Sequence, residues 1–227
     1  MFQRTLLPML LAFTGIITAA ALPNPSPQNS ERAIAIKLPA SGLPPPTGSL
    51  HYIALALGTQ NYTCAATPGS TTAAPVSIGA VAKLSNAAKY LRSHPDQLGT
   101  LTGLVLERST KSGGASDPAQ SLGLPYLGQH YFTAAPSSPE FDLTAVHARV
   151  VAKKLANVAA PANACSGSNN AGAVDWLELG DNGAGLSFGG VSYVYRVETA
   201  GGKAPATCSG KSGVFTVPYA AQYWFYG

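Results

Sequence analysis

The chain has 227 residues, 46% of them apolar and only 11% charged, with 24 Gly and 18 Pro. That supplies a sizeable core but too few Glu, Lys and Arg for the wet faces of a helical bundle; it suits short strands joined by many turns. The formal charge of +4 is scattered, its densest run being Lys153-Lys154, which excludes the clustered basic stripe of a nucleic-acid binder.

The first stretch, MFQRTLLPMLLAFTGIITAAALPNP, has Arg4, an apolar run from Leu6 to Ile17, and then Ala19 and Ala21 in an A-x-A pattern. It predicts a secretory signal peptide over 1–21. The apolar run is too short to span a bilayer and no second one follows, so the expected product is secreted and extracellular, with no membrane span. In such a compartment three cysteines, Cys64, Cys165 and Cys208, imply one disulfide and one cysteine left over, with three pairings open. No C-x-x-C spacing occurs, which argues against a zinc site.

Residues 22–49 are Pro-rich and include Pro44-Pro45-Pro46, so they read as an extended N-terminal arm with room for a short strand at Ala33–Leu38. A single β domain is expected over 50–227. LHYIALALGTQNYTC (50–64) reads as a strand or hairpin, with Gln60, Tyr62 and Cys64 on one face and Thr59, Asn61 and Thr63 on the other. TPGSTTAAPVS is a loop. SNAAKYLRSHPDQL is the one helix predicted, capped by Ser85, with Ala88 and Leu91 on one face and Pro95 stopping or restarting it. LTGLVLER (101–108) looks like a strand, STKSGGASDPAQS a loop and GQHYF a short strand. FDLTAVHARVVAKKLANV fits helix or strand. After a loop around Cys165, AVDWLEL, GVSYVYRVET and GVFTVPYAAQYWFY look like three strands.

The last of these ends in four consecutive aromatics. One face carries Tyr219, Ala221, Tyr223 and Phe225, the other Ala220, Gln222, Trp224 and Tyr226. Apolar residues on both faces indicate a strand covered on both sides, central or closing the sheet. The rival is an exposed aromatic platform for sugars.

Motifs of chemistry are scarce. DNGAGLSFGG holds Gly183 and Gly185, but Phe188 stands where the third glycine of a dinucleotide-binding turn belongs and a strand follows, not a helix. There is no P-loop, G-x-S-x-G elbow or H-E-x-x-H, and no cofactor or metal is expected. His51, His94, His130 and His147 are not spaced as a metal pair. Asp175 and Glu178 fall on opposite faces of a strand, which leaves a paired-carboxylate glycosidase unsupported. Asn61-Tyr62-Thr63 is a glycosylation sequon whose asparagine is exposed if Tyr62 faces the core. Arg196 shares a face with Glu198, so a same-face ion pair is expected, or else a clamp for a ligand carboxylate.

LHYIALALGTQNYTC, LGQHYF, GAVDWLEL, YRVETAGGKAPATC and VPYAAQYWFYG together resemble domain of unknown function 3455, an uncharacterised secreted family of fungi and bacteria, some members of which are labelled malate dehydrogenase. The resemblance covers about residues 38–227 and includes Tyr62, Cys64, His130, Trp176, Arg196, Cys208, Tyr219, Tyr223, Phe225 and Tyr226. It implies a Cys64–Cys208 bridge and makes His130 and Arg196 the best polar candidates for a site. It implies no activity, and nothing in these residues supports the dehydrogenase label.

The expectation is therefore an all-β domain, an antiparallel β-sandwich or barrel of about eight to ten strands with one short helix. The first functional reading is a non-catalytic extracellular or cell-wall-associated protein that binds polysaccharide or acts at the surface. The second is a secreted hydrolase or metal-dependent enzyme with its site around His130 and Arg196. Candidate ligand-site residues are His130, Arg196, Tyr62, Trp176 and Trp224.

Overall fold

The structure, a computed structural model, describes Met1 and residues 36–65, 72–134 and 137–227. The expected signal peptide after Met1 and the first half of the arm, residues 22–35, with the start of the short strand expected at Ala33–Leu38, lie outside the described residues. Eight strands run up and down in chain order and close on themselves: β1 (Leu50–Cys64), β2 (Val76–Asn86), β3 (Tyr126–Phe132), β4 (Pro139–Leu143), β5 (Ala148–Val158), β6 (Trp176–Asp181), β7 (Tyr193–Gly201) and β8 (Gly213–Tyr226). All neighbours are antiparallel, and β8 pairs back onto β1 from Leu50↔Tyr226 to Cys64↔Gly213. The all-β expectation holds, and of its two architectures the chain takes the barrel.

Between β2 and β3 the chain leaves the sheet and forms three short helices: α1 (Ala88–Ser93), α2 (Leu101–Lys111) and α3 (Pro118–Ser121). One helix was expected, and the difference is mainly α2, which the composition of LTGLVLER disguises as a strand. Its buried residues are Leu101, Thr102, Val105 and Leu106. That spacing is one face of a helix, not alternation. α1 begins later than Ser85, which stays buried in β2; the Ala88 N–H is instead accepted by Asn86 Oδ1 (3.1 Å). Ala88 and Leu91 do share its buried face, and Pro95 restarts the chain as a 3-10 turn at Pro95–Gln97. The ambiguous stretch resolves into the end of β4, a 3-10 turn at Thr144–Val146 and β5; His147 makes the reversal in the left-handed region (φ 50°). Residues 36–49 carry no strand, but Ile36, Leu38 and Leu43 pack on the outer layer.

The apolar side chains form two layers. Inside the barrel lie Ala54, Ala56, Ala80, Ala82, Leu84, Phe141, Val150, Val194, Tyr219, Tyr223 and Phe225. Outside it, under the helices, lie Ile53, Leu55, Leu91, Leu101, Val105, Tyr195, Trp224 and Tyr226. The two faces of β8 thus enter two different cores, which accounts for its uninterrupted aromatic run. The barrel is narrow, and the large rings of β8 and β4 are accommodated because β1 and β2 turn small residues inward. At Gly58 the paired backbone of β2 leaves no room for a side chain: a Cβ there would sit 2.0 Å from the Val81 carbonyl oxygen. Gly58→Ala is expected to cost about 1–3 kcal/mol through overpacking, read as a lower urea midpoint at unchanged m.

Candidate functional site

The barrel interior gathers three of the five candidate residues. His130, on β3, is 2% exposed and lies flat against Phe141, ring centroids 4.3 Å apart. Its Nδ1 donates to the Glu140 carbonyl (2.8 Å). Burial pushes its pKa down to about 4, with the Arg196 charge acting in the same direction and the carbonyl bond opposing; the ring is therefore neutral at physiological pH. Arg196, on β7, pairs with Tyr223 across the sheet, and the Tyr223 ring in turn lies 5.4 Å from His130. Tyr62, on β1, donates its hydroxyl to the Gly202 carbonyl (2.8 Å). Burial raises its phenol, with Arg196 opposing. The Tyr219 and Tyr223 hydroxyls share a hydrogen bond (3.3 Å). Burial holds the Tyr219 phenol well above its usual range, with Tyr223 adding and Arg196 and Gln60 opposing.

The expected Arg196–Glu198 pair is not formed. Arg196 Nε and Nη2 both donate to the Asp175 carbonyl (3.0 and 2.8 Å). The reason is local: Glu198 adopts φ 47°, and the β7–β8 register shifts between Val197 and Ala200. A bulge ends the alternation that puts residues two apart on one face.

The two tryptophans lie on the outer side. Trp224 is fully buried; its indole N–H donates to Gln222 Oε1 (3.1 Å), and Gln222 Nε2 donates to the Leu98 carbonyl (2.6 Å). Trp176, Tyr223, Trp224 and Tyr226 are all 5% exposed or less, so the aromatic tail presents no platform. Large rings go where the most apolar area leaves water, and both faces of β8 offer such a place. Among the described residues no three His, Cys, Asp or Glu side chains converge as metal ligands, and no helix is long and apolar enough to cross a membrane.

Among the described residues a cleft of about 550 Å³ lies between the start of α2, the 161–165 loop, the start of β6 and the end of β7. Trp176 lines it, with Thr102 and Thr199, Asn163, Cys165 and Glu198. Thr199 is fixed by donating to the Val174 carbonyl (2.6 Å). The loop is pinned by the Gly201 N–H, which donates to the Cys165 carbonyl (2.8 Å). Gly103 lets α2 come close, since a Cβ there would lie 3.3 Å from the Cys165 Cβ. Cys165 is a free, exposed thiol, while Cys64 and Cys208 form the disulfide.

Glu198 is the unusual member. It is one of three non-glycine residues described with positive φ, a conformation that costs of order 1–3 kcal/mol and persists only where the surroundings enforce it. Burial raises its carboxyl pKa, and no hydrogen bond or ion pair engages it among the described residues. Residue order casts it as the partner of Arg196 and gives no sign of its place at the cleft, because a left-handed glutamate leaves no signal there. Cys165 was legible only as the odd cysteine. Of the candidate residues, only Trp176 lines this cleft.

A family model described as "Protein of unknown function (DUF3455)" matches residues 44–227. No curated protein and no solved structure matches the chain.

Proposed function

The chain belongs to the DUF3455 family, and from that premise and the cleft we propose that it is an exported, non-catalytic surface or cell-wall-associated protein that holds a sugar unit of a polysaccharide. The carrying observation is Glu198, strained, half-buried and without a partner among the described residues, at a cleft lined by hydroxyl, amide and indole groups. An unpartnered carboxylate beside neutral donors and acceptors suits a neutral, hydroxyl-rich ligand, whose O–H groups supply the missing hydrogen bonds. The bridge between Cys64 and Cys208 is in keeping with export to an oxidising compartment. A hydrolytic or metal-dependent reading centred on His130 and Arg196 has less support. His130 is sealed in the packed barrel, and Arg196 is spent on a backbone carbonyl.

The test is calorimetric titration with soluble chitin and β-glucan oligosaccharides, alongside co-sedimentation with insoluble chitin, β-glucan and cellulose. Glu198→Gln is expected to weaken binding at least about tenfold, as losing a hydrogen bond to a charged group does. The same variant is expected to be more stable than wild type at neutral pH. A carboxyl whose folded pKa is raised favours the fold below its unfolded pKa and loses that advantage as pH rises through the folded value. The two proteins should therefore converge at low pH and diverge above it, read as Tm against pH. Unchanged affinity in Glu198→Gln, or no binding by wild type to any of these sugars, would sink the reading.

A further inference from the structure

The outward face of β1 carries Thr59, Asn61 and Thr63, while Gln60, Tyr62 and Cys64 are buried. The pairing register places neighbours around this row. Thr59 lies between Val81 and Pro218, Asn61 between Gly79 and Thr216, and Thr63 between Val76 and Val214. Val76, Val81 and Val214 are 62%, 52% and 68% exposed, and Ile78, beside the register shift, 45%. Four of the nine large apolar side chains exposed among the described residues thus crowd around one asparagine. No Asp, Glu, Lys or Arg occurs in 59–63, 76–82 or 213–218. An uncharged apolar patch of this kind is an association liability unless something covers it.

Asn61-Tyr62-Thr63 is the chain's one N-x-[ST] sequence without proline at the middle position. Asn61 Oδ1 accepts from the Thr59 hydroxyl (3.0 Å), while Nδ2 donates to none of the described residues. Gly79, opposite on β2, has no side chain to crowd it. The atom a glycan is joined to thus has no hydrogen-bond partner among the described residues, and its side chain belongs to the outward face of β1, in the middle of the apolar patch.

We propose that Asn61 carries an Asn-linked glycan and that this glycan is the cover of the valine face. The proposal rests on the export reading above and is independent of what the cleft binds. The donor is an oligosaccharide carried on a lipid diphosphate. Asn61 Nδ2 forms a bond to the anomeric carbon as the bond from that carbon to the diphosphate oxygen breaks. The lipid diphosphate leaves with the electron pair, and the amide gives up one proton. Valines that would otherwise face water are then shielded by a bulky hydrophilic group.

The full chain is expressed in a eukaryotic secretory host, and the medium is analysed by intact mass and peptide mapping. The expected product carries hexose and N-acetylhexosamine mass on the Asn61 peptide, lost in Asn61→Gln and in Thr63→Ala. Sedimentation velocity follows, before and after native enzymatic removal of Asn-linked glycans. The glycosylated protein stays monomeric, while the stripped protein and Asn61→Gln self-associate as concentration rises. Asn61→Gln combined with Val76→Thr, Val81→Thr and Val214→Thr returns to monomer, which separates patch association from misfolding. Secreted protein without a glycan at Asn61 overturns the proposal while export stands. A stripped protein that remains monomeric overturns the shielding role, and failure of the chain to reach the medium overturns the export premise itself.

Discussion

Replacing Trp224 with alanine is expected to lower the unfolding free energy by about 3–5 kcal/mol, with Tm falling by on the order of 10 °C for a domain of this size. The indole is fully buried between the outer face of β8 and the helices, among Ile53, Leu91, Leu101 and Val105. Truncation removes its transfer free energy and leaves a cavity that a closed sheet on one side cannot collapse to fill. It also strips Gln222 Oε1 of its donor, and the partner end of that amide holds the Leu98 carbonyl just before α2. The loss therefore loosens the helical layer as well as the core. Trp224→Phe separates the two contributions. It keeps most of the volume, removes the N–H, and should cost about 1–3 kcal/mol, the penalty of an unsatisfied buried acceptor together with a small void. Urea unfolding followed by far-UV circular dichroism measures both. A loss below about 1 kcal/mol in the alanine variant would show that the helices are not docked on this residue. Polysaccharide binding by folded Trp224→Phe should match wild type, because the ring lies beneath the surface.

Removing the Cys64–Cys208 bridge is the second large effect. The bridge joins the last residue of β1 to the loop before β8 and spans 144 residues of sequence. In the chain-entropy description a loop of that length restricts the unfolded ensemble by about 5 kcal/mol, with measured losses on removing native disulfides of about 2–5. β1 and β8 form the seam that closes the barrel, and they pair along nearly their whole length. Without the bridge, this pairing of the two ends of the domain must form against the full loop-closure cost. The double variant Cys64→Ser/Cys208→Ser should thus show a urea midpoint lowered by the equivalent of about 2–5 kcal/mol, and wild type in reductant should match it. Cys165→Ser, which alters an exposed free thiol, should stay within about 0.5 kcal/mol of wild type. Equal midpoints for oxidised and reduced wild type would show that the bridge is not a stabilising element of the fold.

Residue order alone determined the β class, the three C-terminal strands and the double-sided burial of β8. Strand signals are local properties: AVDWLEL and YVYRVET are short segments rich in apolar and β-branched residues between turn residues, and PYAAQYWFY is an apolar run on both faces. Residue order also placed Asn61 opposite Tyr62 and Cys64. The disulfide pairing came from resemblance rather than spacing, since three cysteines allow three pairings.

Tertiary structure decided the rest. β2 gives no strand signal in residue order, and its first residues, Val76 and Ser77, fall in the expected loop, because its pattern is inverted: Val76, Ile78 and Val81 face water while Ala80 and Ala82 face the core. Only the narrow interior of a barrel already filled by Tyr219, Tyr223 and Phe141 makes alanine the right inward residue there. α2 reads as a strand in residue order because Leu, Val and Leu suit either state, and its helical face is selected by the outer surface of the sheet it covers. The Arg196–Glu198 pairing failed at a bulge that exists because β7 and β8 shift register. That same bulge turns Glu198 into the cleft, so the residue that carries the proposed site was set by strand closure, a long-range constraint that no local window of sequence contains.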